Sequence, residues 1–152
     1  MPPRNILVPV DGSPHSLDAV RYADDLAEVC GARLTLVHAM KEGGAYQITQ
    51  ELKDLARVEH IEISENDVMR ARAESVIDEA RSCVSKCPAD RVSTDIRPGD
   101  ATDEIVACVR EKGIDLVVMG SRGLGDFQGL LLGSVSHKVI QLADCPCLVV
   151  RG

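Results

Sequence analysis

Apolar residues along the chain come in two kinds of run that alternate. Continuous runs at Ile6-Leu7-Val8-Pro9-Val10 and Leu34 to Met40, with later ones at Asp115 to Met119 and Cys147 to Val150, suit parallel strands buried on both faces. Val92 to Ile96 alternates instead and predicts a shorter strand. Between these runs, apolar residues recur at helical spacing. One helix carries Leu17, Val20, Ala23, Leu26, Ala27 and Cys30, and one from Asn66 to about Lys86 carries Ala73, Val76, Ile77, Ala80 and Val84. Two shorter ones carry Ile105, Cys108 and Val109, then Val135, Val139 and Leu142.

Turn residues separate the runs. Ser13 is a good helix N-cap with Pro14 at the first helical position, and Gly31 stops that helix. Pro88 ends the second firm helix, Pro98-Gly99-Asp100 turns the chain, Asp100 or Thr102 can cap the next helix, and Gly113 closes it. Ala45 to Glu65 reads less clearly: Ile48, Leu52, Leu55 and Ala56 fit a short helix, whereas Ile61 and Ile63 fit neither pattern, giving a broken helix or a mobile covering segment. The order β-α-β-α-β-α-β-α-β with right-handed crossovers predicts an α/β fold, an open, doubly wound, Rossmann-like parallel sheet of five strands with helices on both faces. Without internal repeats, and with room for one well-buried core in 152 residues, the chain 1–152 reads as a single domain.

Composition narrows the partners. Seventeen basic against twenty-four acidic residues leave a net charge of −7, with no basic stripe for nucleic acid. No apolar stretch approaches a membrane span, and Met1 to Asn5 does not resemble a signal peptide, so the expectation is a cytoplasmic protein. Cys30, Cys83, Cys87, Cys108, Cys145 and Cys147 then read as reduced core thiols, their spacings lacking the paired units of a structural zinc site. With Tyr22, Tyr46 and Phe127 the only aromatics, a bound base would lie between aliphatic side chains.

Candidate chemistry sits where the fourth run ends. Gly120-Ser121-Arg122-Gly123 is followed, nine residues on, by Gly133-Ser134-Val135-Ser136, which opens a helix. Glycines let backbone N–H groups approach an anion, Ser134 and Ser136 add hydroxyls, and a helix N-terminus attracts negative charge. The same glycines can equally make a plain connection. In doubly wound sheets a ligand lies beyond the carboxyl ends of the strands where their order reverses. Here the loops richest in candidate residues follow strands one and four, which favours the order 3-2-1-4-5 and sets Asp11 across a crevice from Gly120, Arg122 and Gly123. Asp11 can accept from ribose hydroxyls or an exocyclic amine, or can serve only as a turn residue. Val37 offers a backbone amide and carbonyl where the second strand leaves the sheet.

These residues resemble the universal stress protein family, whose nucleotide-binding branch carries Gly-x2-Gly-x9-Gly-Ser/Thr, matched by Gly120, Gly123, Gly133 and Ser134. The similarity spans nearly the whole chain and is weakest from Lys41 to Glu65. It implies ATP binding, with Pro9 and Asp11 lining the site, Val37 meeting adenine through its backbone, and Gly120 near the ribose; Val10 and Met119 are counted among the nucleotide-binding residues. Phosphates would lie over Arg122, Gly123, Gly133, Ser134, Val135 and Ser136. It also implies a magnesium or manganese ion held through the phosphates and water.

His15 and His38 lie near the crevice without a nucleophile-base arrangement, so at most slow ATP hydrolysis is expected. Leu148-Val149-Val150 should form an apolar sheet edge, which a twofold-related copy can pair through Cys147 to Arg151 to give a homodimer. The preferred function is a nucleotide-dependent regulatory or stress-response module acting on an unknown signalling partner. The alternatives are a slow ATPase or nucleotidyl-transfer enzyme on the same fold, and a scaffold whose pocket stays empty.

Overall fold

A computed structural model describes residues 1–41, 50–124, 129 and 131–152. Expectations for Gly43, Gly44, Tyr46, Ile48, Gly125 and Phe127 lie outside the described residues. Five strands, β1 (Asn5–Pro9), β2 (Arg33–Met40), β3 (Val92–Pro98), β4 (Leu116–Gly120) and β5 (Cys147–Val150), form one parallel sheet in the order β3-β2-β1-β4-β5. The helices between them are α1 (Pro14–Cys30), α2 (Gln50–Val58), α3 (Glu65–Ser82), α4 (Ala101–Lys112) and α5 (Ser134–Leu142). Among the described residues no helix is long and apolar enough to cross a membrane.

The continuous apolar runs bury because both faces of the sheet are covered. Ile6, Val8, Leu34, Leu36 and Val118 point to the side packed by α1 and α3, while Leu7, Val37, Val117 and Met119 point to the side packed by α4 and α5. Period-two alternation therefore feeds two cores, and polar residues have no face to occupy. Each fully buried Val, Leu or Ile stabilises the fold by roughly 1.5–3 kcal/mol.

The ends of these elements explain where sequence and structure differ. Ser13 Oγ accepts from the Ser16 amide and Gly31 sits at φ 66°, so α1 begins and ends where its punctuation indicates. Its buried face, however, is made of Ala19, Val20, Ala23, Asp24 and Ala27, with Leu17, Leu26 and Cys30 at the margins. The helix expected to run to about Lys86 stops at Ser82. The Asp24 carboxylate takes the amides of Ser85, Lys86 and Cys87 at 2.7–3.0 Å, and amides so engaged cannot join a helical ladder. β3 runs to Pro98 rather than Ile96, because Met40 continues the pairing opposite it. Asp100, not Thr102, caps α4, and Thr102 is buried. The uncertain stretch contains α2, whose neighbours Ile61 and Ile63 fall in the turn leading to α3.

Candidate functional site

The sheet reverses its winding between β1 and β4, the point at which adjacent strands send their chains to opposite faces. Beyond that point lies a cavity of about 150 Å³. Its β1 wall is Pro9, Val10 and Asp11; its floor is Val37, Met119 and Ile105; and its far wall is Gly120, Arg122, Gly123 and Leu124. Ser134, Val135 and Ser136 close the α5 side. Eleven of the twelve candidate residues thus surround one space. The twelfth, Gly133, is not on the lining: its N–H donates to Ser121 O at 2.6 Å, tying the start of α5 to the end of β4.

Asp11 joins the two loops. Its Oδ1 accepts from the Ser13 amide and its Oδ2 from the Leu124 amide, both at 2.9 Å, across 113 residues of sequence in the second case. Turn residue and crevice residue are the same group here. Burial pushes the Asp11 carboxyl up, but hydrogen bonds from Ser13, Leu124 and Ser16 outweigh it and hold the group below its ordinary range. An ionised carboxylate has about four acceptor positions; besides the two amides, the Ser13 and Ser16 side chains bond to Asp11, so a ligand hydroxyl would share or displace one of those serines.

Gly120 has a packing reason to be glycine. A Cβ there would stand 2.6 Å from the carbonyl carbon of His15, in the first turn of α1. The close approach brings α1 onto the end of β4 and fixes the width of the crevice. Ser136 Oγ donates to Gly120 O at 2.9 Å, which spends its hydroxyl proton inside the protein.

The first turn of α5 differs from those of α1, α3 and α4, which are capped by the side chains of Ser13, Ser64 and Asp100. The N-cap of α5 is Gly133, with no side-chain bond, so no cap side chain takes the orphan N–H groups of its first turn, and Ser134, Val135 and Ser136 of that turn line the cavity. An uncapped turn carries roughly half a positive charge.

Val37 lies in the middle of β2 rather than where that strand leaves the sheet, paired with Pro9 on one side and Asp95 on the other. Its carbonyl accepts from the Val10 amide at 2.8 Å. Odd-numbered residues of β2 turn their polar backbone toward β1, as Arg33 and Val37 do, while Met40 O turns to β3 and accepts from Gly99. β1 ends at Pro9, so the N–H and C=O of Ala39 face the space beyond it, and Ala39 lines the cavity.

Sequence reasoning missed Ala39, and also Ser16, Ala101, Ile105 and Leu124, all on the lining. Ala101 and Ile105 arrive with α4, whose contact with the crevice has no local signal. Of the two histidines placed near the crevice, His38 lines it and His15 does not. His38 Nδ1 is 2.8 Å from Val10 O and, facing a carbonyl, must carry the proton there. Among the described residues no group of three His, Cys, Asp or Glu side chains is placed to hold a metal.

The Universal stress protein family model matches residues 3–151. The chain belongs to the universal stress protein family. Universal stress protein YxiE of Bacillus subtilis is 33% identical over 147 residues, covering 96% of this chain and 97% of its own. Universal stress protein UspA from Lactobacillus plantarum superposes with a TM-score of 0.76 at 26% identity, over 97% of each chain. The universal stress protein from Archaeoglobus fulgidus solved in complex with dAMP shares the fold, with a TM-score of 0.68 at 22% identity over 98% of each chain.

Proposed function

We propose that this universal stress protein binds an adenine nucleotide, ATP in the cell, and that the bound nucleotide sets its conformation or its choice of signalling partner. The observation that carries the reading is the N-terminus of α5, which no side chain caps, on a crevice whose opposite wall holds the Asp11 carboxylate. A phosphate suits the first and a ribose hydroxyl the second. The backbone of Ala39 supplies an N–H beside a C=O, the complement of adenine's N1 acceptor and N6 donor and the reverse of what guanine needs. Val37, Met119 and Ile105 give the aliphatic bed that a ring requires in the absence of aromatics. The dAMP complex of the Archaeoglobus fulgidus relative is in keeping with this chemistry.

The cavity is smaller than the roughly 300–1,000 Å³ of most ligand pockets, so it takes the base while the phosphates extend along α5. Asp11 is the one carboxylate on the described lining, and amides already hold both its oxygens. Magnesium or manganese fits this site only as an ion carried by the phosphates and water. Arg122, Gly123 and the first-turn amides orient those phosphates, and the described lining places no nucleophile-base pair beside them. On this reading the protein is a nucleotide-binding module with at most slow hydrolysis, working in the cytoplasm.

β5 is an edge strand and its four residues are half-buried, so its free backbone is open to a twofold copy, and we propose a homodimer through Cys147 to Arg151. Sedimentation of a Val149→Lys variant as a monomer against a dimeric parent checks it.

Acid extraction of the purified protein followed by mass spectrometry, then calorimetry with ATP, AMP and GTP, tests the nucleotide reading. Retained or titratable adenine nucleotide, with GTP much weaker and phosphate release negligible over hours, is expected. No binding at millimolar ATP overturns it, and rapid turnover would make the protein an enzyme.

A further inference from the structure

A second concavity lies at the C-terminal end of α2 and shares no lining residue with the crevice. It is a groove of about 470 Å³. Lys53 and Arg57 stand one helical turn apart and so share a face of α2, and His60, beyond the helix end, lines the same groove. Ile61 N–H donates to Ala56 O at 2.9 Å and His60 N–H to Arg57 O at 3.4 Å, a reversal that brings Ile61 to Ile63 back across the helix end. His60 occupies the turning position at φ 54°, a conformation that glycine adopts more cheaply.

Two features of the groove lack partners. Like charges at this spacing repel by a few tenths of a kcal/mol, yet neither Lys53 nor Arg57 joins an ion pair among the described residues. Asp54 on the same helix takes the Gln50 amide instead, which leaves Glu62 as the carboxylate on the described lining. Beside the cations the lining is apolar: Ala56 forms a buried floor, Ile61 is 58% exposed and Ile63 is half-buried.

We propose that this groove docks an acidic, aliphatic peptide segment of a partner protein, its carboxylates against Lys53, Arg57 and His60 and its aliphatic side chains on Ala56, Ile61 and Ile63. Charge complementarity selects this occupant. The chain as a whole carries −7, so an unpaired basic face reverses the sign of its surroundings and attracts acidic groups locally. The proposal concerns a different surface from the crevice and stands whether or not nucleotide binds.

The test is fluorescence anisotropy of the full chain with a short fluorescein-labelled peptide of alternating Leu and Glu pairs, run beside its Lys-for-Glu counterpart. Saturable binding of the acidic peptide alone is expected, weakening as salt rises. Lys53→Glu combined with Arg57→Glu should reduce affinity about tenfold or more, Ile61→Asp several-fold, and Glu62→Lys should tighten it. All four side chains are exposed, and circular dichroism verifies that the variants fold. Absence of saturable binding, equal binding by the double variant or by the basic peptide, or displacement by inorganic phosphate at matched ionic strength would overturn the proposal. Self-association of the protein alone that the double variant abolishes would also overturn it, in favour of a second copy.

Discussion

Asp24 and Asp11 are two aspartates of the same β-α unit that both collect backbone amides from distant segments, yet they end in different roles. Asp24 is 2% exposed and accepts three amides, those of Ser85, Lys86 and Cys87, together with the Ser85 hydroxyl. Asp11 accepts one amide on each oxygen and lines a cavity. For both, burial pushes the carboxyl up and hydrogen bonding more than reverses it. What separates a clamp from a candidate site is therefore the open space in front of the carboxylate, rather than charge, pKa direction or the number of donors it holds.

Removing the clamp should have the largest effect. Asp24→Ala strands the buried amide of Cys87 and the part-buried amides of Ser85 and Lys86, which water can reach. At roughly 1–3 kcal/mol for a buried unsatisfied group and less for the other two, a loss of about 2–4 kcal/mol is expected in urea unfolding. A loss under about 1 kcal/mol would erase the distinction. Gly120→Ala comes next. Its methyl group must push aside the backbone of His15, at a cost of about 2 kcal/mol in thermal unfolding, and it narrows the crevice so that nucleotide affinity falls as well.

Asp11→Ala sharpens the contrast by reversing the proportions. We expect about 1 kcal/mol of stability lost and about a tenfold weaker adenine nucleotide by calorimetry. Acid exposes the same difference more gently. Both carboxyls lie below their unfolded value, so their stabilisation is complete above about pH 4 and disappears as pH falls through the folded values. Urea midpoints followed downward from about pH 6 should fall less steeply in Asp24→Asn than in the parent, with Asp11→Asn between them. The smallest change is Ser134→Ala, about threefold in affinity, because the backbone donors of α5 survive it.

Much of the fold could be read from the residues because its signals are local. Ser13 and Gly31 bracket α1, Gly113 at φ 59° closes α4, and runs such as Ile6-Leu7-Val8 announce strands covered on both faces. The neighbouring loops of β1 and β4 followed from the topology and meet at the Asp11–Leu124 contact. Other features had no local signal. Asp24 looks like one more polar residue on a helix until the α3–β3 connection folds over it. Gly120 looks like a ligand glycine until α1 is seen against it. Val37 and Ala39 share a parity on β2, and which of them has its backbone polar groups facing open space depends on where the neighbouring strand stops.

The order of elements, the parallel sheet and the pair of loops that frame the crevice were decided by periodicity and turn chemistry, which act over a few residues. Only the tertiary structure decided which carboxylate has open space in front of it, which helix N-terminus beside a cavity is left without a side-chain cap, and which glycine also serves packing. Those properties depend on atoms within about 3 Å contributed by residues as far as 113 positions apart, and hydrogen bonding and steric exclusion act at that distance whatever the separation along the chain.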